Sequence, residues 1–305
     1  MPSAKTPSAP RPTQAGAALR RLGLVGKYQG GGSLEGLQQV IDLVRQQGAE
    51  VLLDADTAAH WPGANCTSQP LLELGGTCDA VLVLGGDGTM LGAGRELAAC
   101  GVPVIGINHG RLGFMTDIAL EDVAQTLVPM LQGAYETESR PLMHATVWRQ
   151  DACIFEATTL NDVVVYRGGA SGMVELTVQV GERFLARQRA DGLIVASPTG
   201  STAYALSGGG PILHPSIAGW VLVPIAPHML SNRPIVLPAN ETVTIEVVAA
   251  RDAHAHFDMQ RLTSLQVGDR VCVNASQHAL QLLHPQGWSY FDTLRRKLHW
   301  NEGVV

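Results

Sequence analysis

The architecture of this chain is written most clearly in Asp79-Ala80-Val81-Leu82-Val83-Leu84-Gly85-Gly86-Asp87-Gly88-Thr89. The Val-Leu-Val-Leu run is apolar at every position, as expected of a strand buried on both faces. Glycines then let the backbone approach a ligand closely, and residues 89–99 read as a helix whose first N–H groups have no partners within it. A buried strand, a glycine turn and a helix N-terminus together predict an anion site. Asp87, in the middle of it, would repel a phosphate unless a metal ion or a hydroxyl donor lies between them. A bare turn leaves that carboxylate unexplained, whereas phosphoryl transfer to a hydroxyl gives it a task.

Outward from this stretch, strands at 22–25, 51–53 and 102–107 alternate with helices at 33–47, 68–74 and 120–131, with Ser33 as an N-cap. Such alternation predicts βαβ units, a parallel sheet and ligand loops at the carboxyl ends of its strands. From Pro141 the texture changes to short runs rich in Val, Thr and Ile at 145–148, 163–166, 174–180, 192–196, 221–224, 243–248 and 270–274. These predict a β-rich unit. At 290–300, Phe291, Leu294 and Leu298 share one face of a closing helix. The expected fold is an α/β N-terminal domain with a parallel sheet plus a β-rich C-terminal domain. Its expected divisions are a disordered Pro-, Ala- and Ser-rich leader at 1–18, the α/β domain at 19–138 completed by a C-terminal helix at 288–305, and the β-rich domain at 139–287.

Composition narrows the function. With 305 residues, 46% of them hydrophobic, the chain can bury a large core, and a net charge of −6 argues against polyanionic partners such as nucleic acid or a membrane surface. Five cysteines, with no CxxC pair among them, suggest neither a disulfide framework nor a zinc knuckle, and point to a reducing, cytoplasmic setting. The longest apolar stretch, 219–230, is broken by Pro224 and Pro227 and is too short to span a bilayer. The glycines of residues 26–32 lack the GxGxxG spacing of a dehydrogenase, and no GxxxxGK[ST] P-loop occurs.

Two further segments carry chemistry. Asp191-Gly192-Leu193-Ile194-Val195-Ala196-Ser197-Pro198-Thr199-Gly200-Ser201-Thr202-Ala203-Tyr204 reads as a strand entering a hydroxyl-rich turn, followed by Ser207-Gly208-Gly209-Gly210-Pro211. Its hydroxyls offer a ledge of donors, and Tyr204 offers a face for a base. Asn161-Asp162 places an amide beside a carboxylate, able to read a base edge and a ribose diol, although most such dipeptides are turns. His254, His256 and Asp258 alternate along a strand and read as a solvated or ligand-adjacent face rather than a metal site, and Arg295-Arg296-Lys297 as a solvent face.

Taken together, GGDGT, Asn161-Asp162, and the SPTGSTAY run followed by SGGGPI resemble the NAD kinase family. Residues 227–235 and 290–294 are similar to it as well, so that the resemblance covers about residues 23–300. It implies an enzyme that moves the γ-phosphate of ATP, with Mg²⁺ or another divalent cation, to the 2′-hydroxyl of the adenosine ribose of NAD. NAD would lie between the two domains, and the chain would form a homodimer or homotetramer. It further implies Asp87 as acceptor of the hydroxyl proton with Gly88 beside the ligand, Asn161 and Asp162 at the adenosine, and Arg189 and Asp191 along the dinucleotide. Thr202, Ala203, Tyr204 and Ser207 would form the bordering ledge, and Gln260 would end a late contact motif. That motif is often Asp-Gly-Gln in the family but is Asp258-Met259-Gln260 here. No residue is assigned to a protein metal site. A lipid or sugar kinase sharing the GGDGT loop, and a dinucleotide sensor without catalysis, remain the competing readings.

Overall fold

The computed structural model describes residues 16–26, 33–61, 63–110, 113–169 and 172–300. The first part runs β1 (Arg21–Gly26), α1 (Ser33–Gln46), β2 (Glu50–Asp54), α2 (Ala55–Ala59), β3 (Ser68–Gln69), α3 (Leu71–Thr77), β4 (Ala80–Gly85), α4 (Asp87–Leu97), β5 (Val104–Asn108), β6 (Ile118–Ala119) and α5 (Val123–Leu131). The strands β3-β2-β1-β4-β5 form a parallel sheet in that order. Every residue of β4 is buried, because Leu82 and Leu84 pack under α1 and α5 while Val81 and Val83 pack under α3 and α4. Each such Val or Leu adds about 1.5–3 kcal/mol by leaving water.

The expected helix at 68–74 divides into a two-residue strand and α3, which starts only after Pro70. Proline holds its predecessor extended, and Gln69 pairs with Asp54 accordingly. The leader falls mostly, and residues 27–32 and 301–305 wholly, outside the described residues.

The second part contains β7 (Tyr135–Arg149), β8 (Ala152–Thr159), β9 (Asp162–Arg167), β10 (Val174–Val180), β11 (Arg183–Ala190), β12 (Gly192–Ala196), α6 (Tyr204–Ser207), β13 (Gly219–Ile225), β14 (Ile235–Pro238), β15 (Val243–Ala249), β16 (Ala253–Phe257), β17 (Arg261–Leu265), β18 (Arg270–Pro285) and α7 (Tyr290–Leu298). A six-stranded sheet runs β14-β13-β12-β9-β16-β17. Its inner face, with Val163, Val165, Leu193, Val195 and Phe257, packs on Ala145, Val147, Leu176, Ile245 and Val273 of the facing sheet. Its outer face, with Val164, Ile194 and Ala196, is covered by Ala205 and Leu213.

One long strand unites the two parts. The first half of β18 pairs with β15, Leu282 pairs with Val104 of β5, and β7 runs antiparallel along nearly all of it. A register shift between Ala275 and Ala279 accommodates Pro141, which lacks an N–H for the ladder. No helix among the described residues is long and apolar enough to cross a membrane.

Candidate active site

The order of the parallel sheet reverses between β1 and β4, and the crevice beyond the carboxyl ends of strands at such a point is where open α/β sheets bind ligands. A cavity of about 580 Å³ lies there, bounded by Gly26, Asp54, Thr57, Pro70, Gly88 and Thr89. Asp87 occupies the first turn of α4, two residues earlier than the sequence pattern placed the helix start. Both its carboxylate oxygens are seated by backbone amides: Oδ2 accepts from Phe114 N at 2.9 Å and Oδ1 from Met115 N at 3.0 Å. Gly113 leaves room for this arrangement, since a Cβ there would run into Asp87 Oδ1 and Thr116 Oγ1. The turn 113–117 is thus part of the site, and nothing in its sequence singled it out.

A chain of polar contacts ties the glycine loop to the β-rich part. Gln260 Nε2 donates to the Gly88 carbonyl at 3.0 Å, and Arg95 Nη2 donates to Gln260 Oε1 at 2.8 Å. Arg95 Nη1 also reaches Asp258 Oδ2 at 3.1 Å, with both side chains almost wholly buried. Asp258 in turn accepts from the amides of Leu160, Asn161 and Asp162 at 2.9, 2.7 and 3.1 Å. It and Met259 adopt positive φ, +52° and +55°, a conformation costly for side-chain-bearing residues that the surrounding contacts must stabilise. Asp258 therefore organises the turn from inside and does not share the half-buried face of His254 and His256.

From Asn161 the connection continues to the hydroxyl-rich turn. The Asn161 carbonyl accepts from Ser197 N at 2.9 Å, and Ser197 Oγ accepts from Gly200 N at 3.1 Å. A Cβ on Gly200 would strike the Asn161 backbone, so the two segments pack as closely as chains can. Thr202 Oγ1 is turned back onto the Thr199 carbonyl at 2.9 Å, while Tyr204 and Ser207 are exposed at the start and end of α6. Among the predicted residues, Asp87, Gly88, Asn161, Asp162 and Gln260 are joined through these contacts, with Thr202, Ala203, Tyr204 and Ser207 on the adjoining turn.

Asp162 is 2% exposed and its Oδ1 has no hydrogen-bond partner. Burial, and then the charge of Asp258, push its carboxyl up to about 7. A buried acceptor without a donor suits a ligand that brings one.

Arg189 and Asp191 are not brought to this place. Asp191 precedes β12, whereas Ala196 at the other end of β12 pairs with Asp162, so the two ends lie about 17 Å apart at about 3.4 Å a residue. Asp191 there forms an ion pair with Arg167, Oδ1 to Nε 2.7 Å, and the exposed Arg189 accepts from His228 N at 2.9 Å through its carbonyl.

Comparison with known proteins follows this division. Residues 43–135 match the family model described as ATP-NAD kinase N-terminal domain, and residues 160–285 the one described as ATP-NAD kinase C-terminal domain. The NAD kinase of Polaromonas naphthalenivorans is 60% identical over 290 residues, 94% of this chain and 99% of that protein. That of Delftia acidovorans is 58% identical over 297 residues, again covering 94% and 99%. The crystal structure of an Archaeoglobus fulgidus NAD kinase in complex with ATP superposes with a TM-score of 0.71 at 25% identity, covering 90% of this chain and 99% of that one. Yeast NADH kinase complexed with NADH shares the fold, with a TM-score of 0.84 at 22% identity over 94% of this chain and 89% of its own.

Proposed function

The chain belongs to the NAD kinase family, and from that premise we propose that Asp87 receives the proton of the accepting hydroxyl. The reaction is phosphate transfer from ATP to NAD, giving NADP and ADP. The observation that carries the role of Asp87 is its seat: two backbone amides hold both carboxylate oxygens next to Gly88, which lines the crevice, and each oxygen keeps a lone pair for an incoming hydroxyl. A carboxylate is too weak a base to make an alkoxide in advance. Asp87 orients the 2′-hydroxyl and takes its proton late, as the loose phosphoryl transition state develops.

Asp162, with its unpartnered Oδ1, and Asn161 would receive the adenosine of NAD, and Thr202, Ala203, Tyr204 and Ser207 would border it. Among the described residues, no group of three or more His, Cys, Asp or Glu side chains could hold a metal ion. We propose that a divalent cation enters on the triphosphate, with Asp87 a carboxylate beside the glycine loop able to meet it. When bound, such an ion neutralises charge on the phosphoryl group being transferred.

The distance of Arg189 and Asp191 from Asp162 favours a homo-oligomer in which they serve the site of a neighbouring copy. The surface around them supports this: Phe184, Leu185, Met229, Leu230, Ile235 and Val236 are exposed beside the edge strands β11 and β14. We place the domain division at 19–138 with 288–305 and at 139–287, and both family matches fall inside it. Five free cysteines are in keeping with a cytoplasmic location.

Asp87→Asn is the test. NADP formation from ATP, Mg²⁺ and NAD, read by an NADP-specific dehydrogenase, should be nearly abolished while NAD still binds; an unchanged rate refutes the assignment. Mixing Asp87→Asn with Asp191→Asn chains should restore activity if Asp191 acts on a neighbour's site.

A further inference from the structure

Behind the turn that seats Asp87, four charged side chains are packed together. His284 on β18 lies between Asp117 (Nδ1 to Oδ2, 2.9 Å) and Glu138 on β7 (Nε2 to Oε2, 3.1 Å). Arg140 Nε donates to the same Glu138 oxygen at 2.6 Å, and Arg140 Nη1 reaches Thr199 Oγ1 at 3.4 Å. His284 and Arg140 are each 2% exposed. The Trp288 ring stacks on His284 with centroids 3.7 Å apart, and the Arg140 guanidinium sits 5.8 Å from the centre of the Tyr290 ring.

The two ends of this row are at the site. Asp117 closes the turn 113–117, in which Phe114 and Met115 hold Asp87 and Asn108 Nδ2 holds Thr116 Oγ1 at 3.2 Å. Thr199 begins the hydroxyl-rich turn that carries Thr202 to Tyr204. We infer that His284 is a positioning residue for the phosphoryl transfer, tying the turn that seats Asp87 to the β7–β18 strand pair and, through Glu138 and Arg140, to the hydroxyl-rich turn at Thr199. This rests on the reading of Asp87 given above.

Charge makes the tie conditional. Two carboxylates face one guanidinium, so the set is neutral only while the imidazole carries its proton. A neutral ring leaves an uncompensated negative charge in the interior, which is costly. The groups facing His284 are Asp117 from the turn, Glu138 and Arg140 from β7, and the indole of Trp288; Lys297 of α7 lies over the Phe114 ring at 5.2 Å, against the same turn. Burial opposes the charged ring, but the hydrogen bonds and charges of Asp117 and Glu138 outweigh it and hold His284 above the ordinary histidine range. The charged tie is thus complete below the ordinary histidine range and is lost as pH rises through that raised value.

The experiment compares His284→Gln, His284→Lys and Asp87→Asn with the native chain, measuring kcat, KM for NAD and ATP, and far-UV circular dichroism. His284→Gln should keep its fold and both KM values while kcat drops about 100-fold, the usual size of a loss from an ångström-scale misplacement. His284→Lys, which returns a cation, should recover part of it. Folded His284→Gln with native kcat overturns the inference while leaving Asp87 untouched if Asp87→Asn is inactive; an active Asp87→Asn overturns both. Should His284→Gln fail to fold, the native enzyme decides. Its kcat should fall at alkaline pH with KM and dichroism constant, and a flat kcat up to the pH at which the fold is lost overturns the inference.

Discussion

Asp162→Asn probes the site through the cost of a buried charge. In the native chain the carboxyl is pushed from 3.8 to about 7 by burial and then by Asp258. At about 1.4 kcal/mol for each pH unit, the ionised group costs the folded state about 4 kcal/mol at and above neutral pH. The native fold binds this proton more tightly than the unfolded chain does. Its contribution is therefore fully present below the ordinary aspartate range and is lost as pH rises to about 7. An amide of the same shape removes the ionisation. Asp162→Asn should accordingly melt about 5–10 °C above the native protein at pH 8 and close to it at pH 4. Differential scanning fluorimetry at both pH values reads this directly. Adding NAD at pH 8 should raise the native melting temperature more than the variant's, because an ionised Asp162 Oδ1 accepts a ligand's hydrogen bond more strongly than the amide oxygen of asparagine does. A variant that melts no higher than native at pH 8, or by the same margin at both pH values, refutes the argument.

Two other substitutions separate the seat of Asp87 from the tie across the site. Gly113→Ala places a methyl group against Asp87 Oδ1 and Thr116 Oγ1, and should cut kcat about 100-fold with NAD affinity, measured by calorimetry, little changed. Arg95→Met removes the cation from buried Asp258 and one partner of Gln260, and should cost about 3 kcal/mol in urea unfolding, with NAD affinity reduced as well.

Local signals in the sequence read well. The apolar run before Gly85 could only be a strand buried on both faces, and the glycines after it set the turn and the helix start to within two residues. Signals that depend on partners distant in sequence did not. Residues 145–148 and 270–274 read as short strands, but they are pieces of the 15- and 16-residue β7 and β18, in which charged and polar positions of β7 such as Glu138 and Arg140 pair with leucines of β18 and so break any regular alternation. The edge strand Arg183–Ala190 carries three arginines and exposes most of its residues, so no alternation marks it. Arg95 and Asp258 are 163 residues apart, and neither has a local pattern that reveals the other. The same holds for Asp117, Glu138 and His284, whose shared burial exists only once β7 lies along β18. Asp87, Asn161, Asp162 and the run ending at Tyr204 stood out because glycines, hydroxyls and carboxylates cluster within a few residues. The turn 113–117 acts through backbone amides, which any sequence possesses.

The position of β18 also has a bearing on how the chain is made. In the larger sheet β18 stands between β15 and β5, yet its residues follow those of every other strand in sequence. During vectorial synthesis, the parallel strands β3-β2-β1-β4-β5 emerge first, with β6 pairing on the end of β5, and wait with the flank of β5 at Val104 lacking its later neighbour. Only when residues 270–285 leave the ribosome can both halves of the sheet be joined. Until then the nascent chain carries unpaired strand edges, the kind of surface on which premature association begins and which holding chaperones cover.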